Sequence, residues 1–274
     1  MRALVLGAND VASAVAWYLW REEYQVIVAS DPMPAVTRRG MAFADAVFDG
    51  AAVLEGVVAQ RAETVEAVEQ LLQARAAVPL VVGDDLVELV ARYRPDVVID
   101  ARMRKRAQPT PLRGLAQLTI GLGPGFVAGE LVDVAIETSW EELGAVRWEG
   151  ANLPLAGEPR EIAGHGRDRY VYAPCAGVWR TERRIGEVVA AGDLVAVLHC
   201  EGGERYEIRA LISGAIRGLT RDGVPVTVGT KVFEIDPRGP AGQWQGLGER
   251  PRRVAEGVLV AITAWRGAVM SREG

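Results

Sequence analysis

Three short segments of this chain carry residue types able to hold a negatively charged group. The first is Gly7-Ala8-Asn9-Asp10-Val11-Ala12, between an apolar run at 3–6 and a helical pattern that puts Val11, Ala14, Val15, Tyr18 and Leu19 on one face. A dinucleotide fold carries its glycine fingerprint here, because a tight turn and close backbone approach to pyrophosphate leave no room for a β-carbon. Only Gly7 matches. Asn9 and Ala12 stand at the other two glycine positions, and Asp10 puts a carboxylate where a phosphate would sit. Asp31, after the next apolar run at 25–30, is placed to hold a ribose. A plain structural turn is the competing reading of both.

The second segment is Gly121-Leu122-Gly123-Pro124-Gly125, followed by Phe126-Val127-Ala128-Gly129. Closely spaced glycines can turn several amides toward one point as an anion nest, or simply supply a sharp loop. No Lys or Ser follows, so it is not a P-loop. The third is Asp100-Ala101-Arg102-Met103-Arg104-Lys105, where a carboxylate beside cations suits either an anionic cofactor or surface ion pairs. Glu137, before Thr138, adds a carboxylate if the strand order brings it near. Loops leaving the carboxyl ends of parallel strands form the usual ligand crevice. The expected cofactor-binding set is therefore Gly7, Asn9, Asp10, Asp31, Asp100, Arg102, Lys105, Gly121, Gly123, Gly125 and Glu137.

Other chemistries find little footing. His165 and His199 have no Ser or Cys at a recognisable catalytic spacing, and His199 beside Cys200 reads as a strand-end coincidence. No three or four residues have metal-ligand spacing, so no catalytic or metal residue is expected. Cys175 and Cys200 are too few for a disulfide framework.

The elements that must position these residues alternate strand and helix. Apolar runs at 3–6, 25–30, 57–59, 78–82, 96–99, 118–122 and 132–136 are strands, with helices from Asp10, at 65–72 and from Asp85 to Tyr93. Asp10 is expected to cap the first helix, and Asp85 with Glu88 makes a capping-box-like start to another. Residues 1–143 thus read as a Rossmann-like, doubly wound parallel α/β domain, and 144–166 as a Gly- and Pro-rich connector. Residues 241–274 form a tail with a closing amphipathic helix at 252–265. Between them, at 167–240, a pattern repeats after 37 residues: Gly177, Gly186 and Gly192 recur as Gly214, Gly223 and Gly229, and Val189, Val195 and Leu198 as Val226, Val232 and Ile235. That spacing resembles the barrel-sandwich of biotinyl and lipoyl carrier domains. Such carriers modify a lysine on the hairpin joining their halves, here 200–205. That hairpin has none, and Lys105 and Lys231 are the only lysines, so a swinging-arm role is excluded.

The 274 residues, 49% hydrophobic and 24% charged, fit an ordinary globular protein of two domains. A net charge of −5 gives no basic field for nucleic acid. No stretch is read as approaching the roughly 18 apolar residues of a membrane span, and the N-terminus enters a strand at once, so a cytoplasmic location is expected. Arginine outnumbers lysine 29 to 2, from which nothing functional follows.

A wider resemblance runs through Thr37-Arg38-Arg39, 43–50, Glu55-Gly56-Val57, 94–101, 121–129, 134–138, Ala173-Pro174, the repeat, Ile235-Asp236-Pro237-Arg238-Gly239 and 257–262. In this order they resemble the YqeB-type accessory proteins of selenium-dependent molybdenum hydroxylases, whose N-terminal half is similar to the XdhC-type Rossmann domain. Asn9, Ala14 and the 140–142 region depart from that pattern. The resemblance implies an accessory or maturation factor for a molybdenum hydroxylase. It would bind a phosphate-bearing cofactor, NAD(P) or molybdopterin nucleotide, and have the apoenzyme or other maturation factors as partners, with self-association left open. An NAD(P)-dependent oxidoreductase, with Lys105 or Tyr93 as proton donor, and a non-catalytic scaffold with a degenerate nucleotide site are the alternatives.

Overall fold

Strands that are apolar at every position must be covered on both faces, and they form the centre of a nine-stranded mixed sheet. The computed structural model describes residues 1–83, 85–104, 107–155 and 159–273. Strand β1 (Arg2–Leu6) lies between β2 (Gln25–Ser30) and β6 (Val97–Asp100), all parallel, with Leu4 opposite Ile27 and Val98. Next to β2 runs β5 (Val78–Val82); beyond β6 run β7 (Leu118–Leu122) and β9 (Val134–Ile136), again parallel. The edges are antiparallel. At one, β3 (Ala51–Leu54) pairs with β4 (Val57–Arg61), and at the other β10 (Val146–Arg147) pairs with β9. A small ribbon, β8 (Val127–Ala128) with β11 (Gly150–Ala151), sits beside them.

Helices α3 (Val65–Ala74) and α4 (Leu86–Tyr93) cover one face, packing Val68, Leu72 and Leu89 with Leu4, Leu6 and Ile27. As expected, Asp85 caps α4 by accepting from the Glu88 amide at 3.0 Å. Short α2 (Ala46–Asp49) precedes β3. The other face is covered by α1 (Asp10–Arg21) and by α5 (Glu249–Glu273), which returns from the far end of the chain.

This corrects the expected doubly wound parallel sheet. The sheet is mixed, and among the described residues no helix joins β6 to β7 or β7 to β9. Residues 101–117 include Pro109 and Pro111, which disfavour a helix, and pack Leu112 and Leu115 on the sheet instead. With no local helix to cover that half of the opposite face, α5 does so through Val254, Val258, Ala261 and Ile262.

Residues 170–236 add two four-stranded antiparallel sheets. One holds β12 (Tyr170–Tyr172), β19 (Lys231–Asp236), β17 (Gly214–Leu219) and β14 (Val188–Val189). The other holds β16 (Arg205–Arg209), β15 (Leu194–Cys200), β13 (Gly177–Arg180) and β18 (Pro225–Val226). Trp179, Leu198, Ile216, Phe233 and Ile235 fill the space between them. The expected biotinyl/lipoyl-like barrel-sandwich is corrected accordingly. The two sheets are hydrogen-bonded separately, and the unit does not stand free as a carrier does. Its Leu219 amide donates to Thr37 O at 2.8 Å, and Arg39 Nε donates to Leu219 O at 2.9 Å. Arg221 reaches Asp45 and Asp49 of the first unit.

Among the described residues α5 is long and apolar enough to cross a membrane, which the sequence reading had not expected; a third of its most apolar stretch is buried inside the protein. The fold as a whole is of the soluble α/β type. Docking of α5 depends on two glycines, since a β-carbon on Gly257 would overlap the Gly144 carbonyl oxygen and one on Gly144 would overlap that of Arg253. Gly257→Ala therefore lowers unfolding stability by about 1–3 kcal/mol despite alanine's better helix propensity, as measured by urea denaturation.

Candidate functional site

The carboxyl ends of β1 and β6 mark the point where strand order reverses, which is where open parallel sheets usually bind ligands. Gly7 turns there with φ +107°, and a β-carbon on it would sit 3.1 Å from Arg102 Cα. Asn9, and not Asp10, is the cap of α1: its Oδ1 accepts from the Val11 and Ala12 amides at 2.9 and 3.0 Å. Its Nδ2 donates to Ala101 O at 2.8 Å, tying the turn to the end of β6. Asp100 is buried and accepts from Arg102 Nε and from the Arg102 amide. Asp31 is half exposed, 3.4 Å from Arg104 Nη2.

The glycines at 121–125 make room for neighbours. A β-carbon on Gly121 would enter the Phe126 ring; Gly123 and Gly125, with φ +91° and +89°, lie against Thr138 and Pro109. Glu137 is buried and accepts from the Thr138, Ser139 and Leu153 amides at 2.6, 2.7 and 2.6 Å. The structure thus brings Gly7, Asn9, Asp100 and Arg102 into contact and places Gly123 beside Glu137 through Thr138. Lys105 lies outside the described residues.

Two cavities flank Arg102. One, about 20 Å³, is bounded by Gly7, Ala29, Asp31 and Leu89; the other, about 50 Å³, by Asp100, Met103, Pro109 and Phe126. Each has room for a water or two.

The polar centre that the sequence did not reveal lies over Asp10. Instead of capping its helix, Asp10 accepts from Arg38 Nη1 at 3.0 Å. Arg38 turns its Nε and Nη2 to both oxygens of Glu234, at 3.1 Å each. Glu234, fully buried on β19, also meets Lys231 Nζ at 2.9 Å, Arg169 Nη1 at 3.3 Å and Arg217 Nε at 3.5 Å. Arg217 Nη1 lies 3.6 Å from buried Asp236, whose carboxylate is already bound by Arg238. Lys231 Nζ stands 4.8 Å from the centre of the Tyr170 ring. Arg250, at the start of α5, approaches the same group while its Nε donates to Thr138 O at 2.9 Å.

The electrostatics follow from this crowding. Burial would raise the pKa of Glu234, but Arg38 and Lys231 outweigh it and hold the carboxyl far below its ordinary range. Asp10 is lowered by the same cations against the same opposing burial. Burial lowers the pKa of Arg217, and its like-charged neighbour Arg38 lowers it further; burial also lowers Lys231 and Arg250. Among the described residues six cations, Arg38, Arg169, Arg217, Lys231, Arg238 and Arg250, therefore face the carboxylates Asp10, Glu234 and Asp236, with Glu137 also acting on Arg250. Arg217, with 11% of its side chain exposed, has an Nε without a hydrogen-bond partner. The signals were present in the sequence as Arg38 within Thr37-Arg38-Arg39, Lys231 as one of two lysines, and Asp236 before Pro237-Arg238. Nothing in their spacing told that they meet.

No protein-family model matches the chain. It is 37% identical over 262 residues to the uncharacterized protein YqeB of Escherichia coli (strain K12), an alignment covering 94% of this chain and 47% of that one. The chain thus spans about half the length of this relative. A succinylglutamate desuccinylase from a Silicibacter species is similar at 14% identity and TM-score 0.27, over 85% of this chain and 84% of the other. The ectoine utilization protein EutE (DoeB) of Ruegeria pomeroyi is similar at 12% and 0.24, over 85% and 56%. A succinylglutamate desuccinylase/aspartoacylase of Rhodobacter sphaeroides is similar at 24% and 0.24, over 28% and 23%. TM-scores this low assign this chain neither a fold nor a chemistry. The role implied by the resemblance is nonetheless corrected: the relative is named an uncharacterized protein, and its name carries no function in molybdenum hydroxylase maturation.

Removing the central carboxylate while keeping its shape isolates the network's weight. Glu234→Gln leaves its cations without their shared anion and destabilises the fold by about 3–5 kcal/mol in urea denaturation. The acid side gives a second readout. A carboxyl depressed in the folded state stabilises it above the ordinary glutamate value of 4.5, and that contribution is lost as pH falls below it. Stability of the wild type declines over that range more steeply than that of the variant.

Proposed function

We propose that the chain binds a small, multiply charged oxyanion, a polycarboxylate or an inorganic oxyanion, at the Asp10 rim between the two units. The observation that carries this reading is the cationic surplus around Glu234, together with the buried Arg217 Nε, which lies 3.5 Å from Glu234 Oε1 without a hydrogen bond to it. Arginine forks bind planar and tetrahedral oxyanions through paired N–H groups, and a partly dry setting strengthens each contact. Clustered groups with perturbed pKa values at a sheet's ligand rim are where function is generally found. In this reading Arg217 and Arg38 orient the anion, while Lys231 and Arg250 supply charge from the more accessible side. Tyr170, its pKa raised by burial and by Glu234, stays protonated at neutral pH and offers a neutral polar edge. The soluble-type α/β fold supports placing the protein in the cytoplasm, which cell fractionation checks.

Citrate and sulfate, titrated calorimetrically into the full chain at low ionic strength, test the proposal. At least one binds, and binding weakens as salt rises. Arg217→Met and Lys231→Met each keep the apolar stem but lose the charge. Each lowers affinity about tenfold or more, equivalent to about 1.4 kcal/mol. Binding of neither anion, or affinity unchanged in both folded variants, overturns the reading.

A further inference from the structure

We propose that Cys175 and Cys200 form a reversible redox pair, closed as a disulfide and opened by a dithiol reductant without loss of the fold. They are bonded to each other across 25 residues, with their α-carbons 6.0 Å apart. Strand register alone holds them in place. Gly177 lies opposite Cys200 in the β13–β15 ladder, and the Glu201 amide donates to Ala176 O at 3.1 Å. The bare Gly177 Cα lets the Cys200 backbone approach so closely that a β-carbon there would overlap the His199 carbonyl. On the other side, the Cys200 amide donates to Glu204 O at 2.9 Å, closing the 200–205 hairpin. These backbone bonds persist whether or not the sulfurs are joined.

Access is asymmetric. Cys200 is buried, whereas Cys175 is half-buried between exposed Pro174 and the exposed stretch 201–204. An external thiolate therefore attacks the Cys175 sulfur, the disulfide bond breaks and Cys200 leaves as thiolate, later protonated. The second thiol of the reductant then attacks the mixed disulfide and releases Cys175. The protein disulfide gains two electrons and two protons, and the dithiol becomes a cyclic disulfide. Closure is the reverse, with a small-molecule disulfide as oxidant. The two thiols lie beside the hairpin that carries exposed Tyr206, so opening the bond frees that corner while the ladders stay intact.

Thiol counting on the full-length protein tests this. Chain purified without reductant and treated with oxidised glutathione shows no thiols when denatured in a maleimide reagent. After dithiothreitol under native conditions it shows two, with its far-ultraviolet circular dichroism unchanged. Removing the reductant and restoring oxidised glutathione returns the count to zero. Cys200→Ser shows one thiol under dithiothreitol and none after oxidised glutathione, having taken up one glutathione at Cys175. Two thiols after oxidation, resistance to dithiothreitol until the chain unfolds, or unfolding on reduction each overturns the proposal.

Discussion

A carboxylate removed from water stays ionised only if cations and hydrogen bonds replace its hydration, and Glu234 meets this condition with residues drawn from both units. Arg38 is the decisive partner, because one guanidinium spans both Glu234 oxygens and the Asp10 carboxylate. Asp10 is the first residue of α1, where a negative charge also complements the helix dipole. The distance from β19 to the start of α1 is therefore fixed by a single planar group. Everything else that joins the units, from the Thr37–Leu219 backbone contact to Arg221 on Asp45 and Asp49, lies around that span.

The same economy of space explains the glycines. A glycine-rich loop at a sheet rim can point amides at a ligand or let something press close, and composition alone does not say which. Here the Asn9 side chain accepts the first free amides of α1, the Phe126 ring lies against Gly121, and Gly144 and Gly257 bring α5 onto the loop after β9. The long return of α5 has a related cause. Two prolines stand in the segment after β6, so that half of the sheet lacks a local helix and is closed by the end of the chain.

The parallel strands were legible because a strand buried on both faces must be apolar throughout, and such runs at 3–6, 25–30, 78–82 and 118–122 have no other use. The Asp85 cap was legible too, since its geometry is local. Strands β3 and β10 were missed because short edge strands bury little: β3 is four apolar residues of which only Leu54 is buried, and β10 is two residues long. Asn9 was read as a missing glycine when its side chain is the cap, an error that follows from matching a motif instead of counting amides. The Arg38 network was not legible at all. Its members lie up to 240 positions apart, between Asp10 and Arg250, and ion pairs obey no sequence period. The function expected from family likeness failed for another reason, since likeness in sequence carries over only what is known of the relative.

The surplus of positive charge separates a joint from a site. If holding two units together were the network's only role, equal numbers of opposite charges would serve, and a well-packed apolar contact would serve as well. Instead Arg217 and Arg38 are close enough that one lowers the pKa of the other, and burial pushes Lys231 and Arg250 down although Glu234 and Asp10 act on the first and Asp10 and Glu137 on the second. In the proposed reading one added anion relieves each of these effects. A tetrahedral or planar oxyanion among Arg38, Arg217 and Lys231 would fill the open Arg217 donor and bring the local charge close to balance, leaving the Glu234 pairing undisturbed.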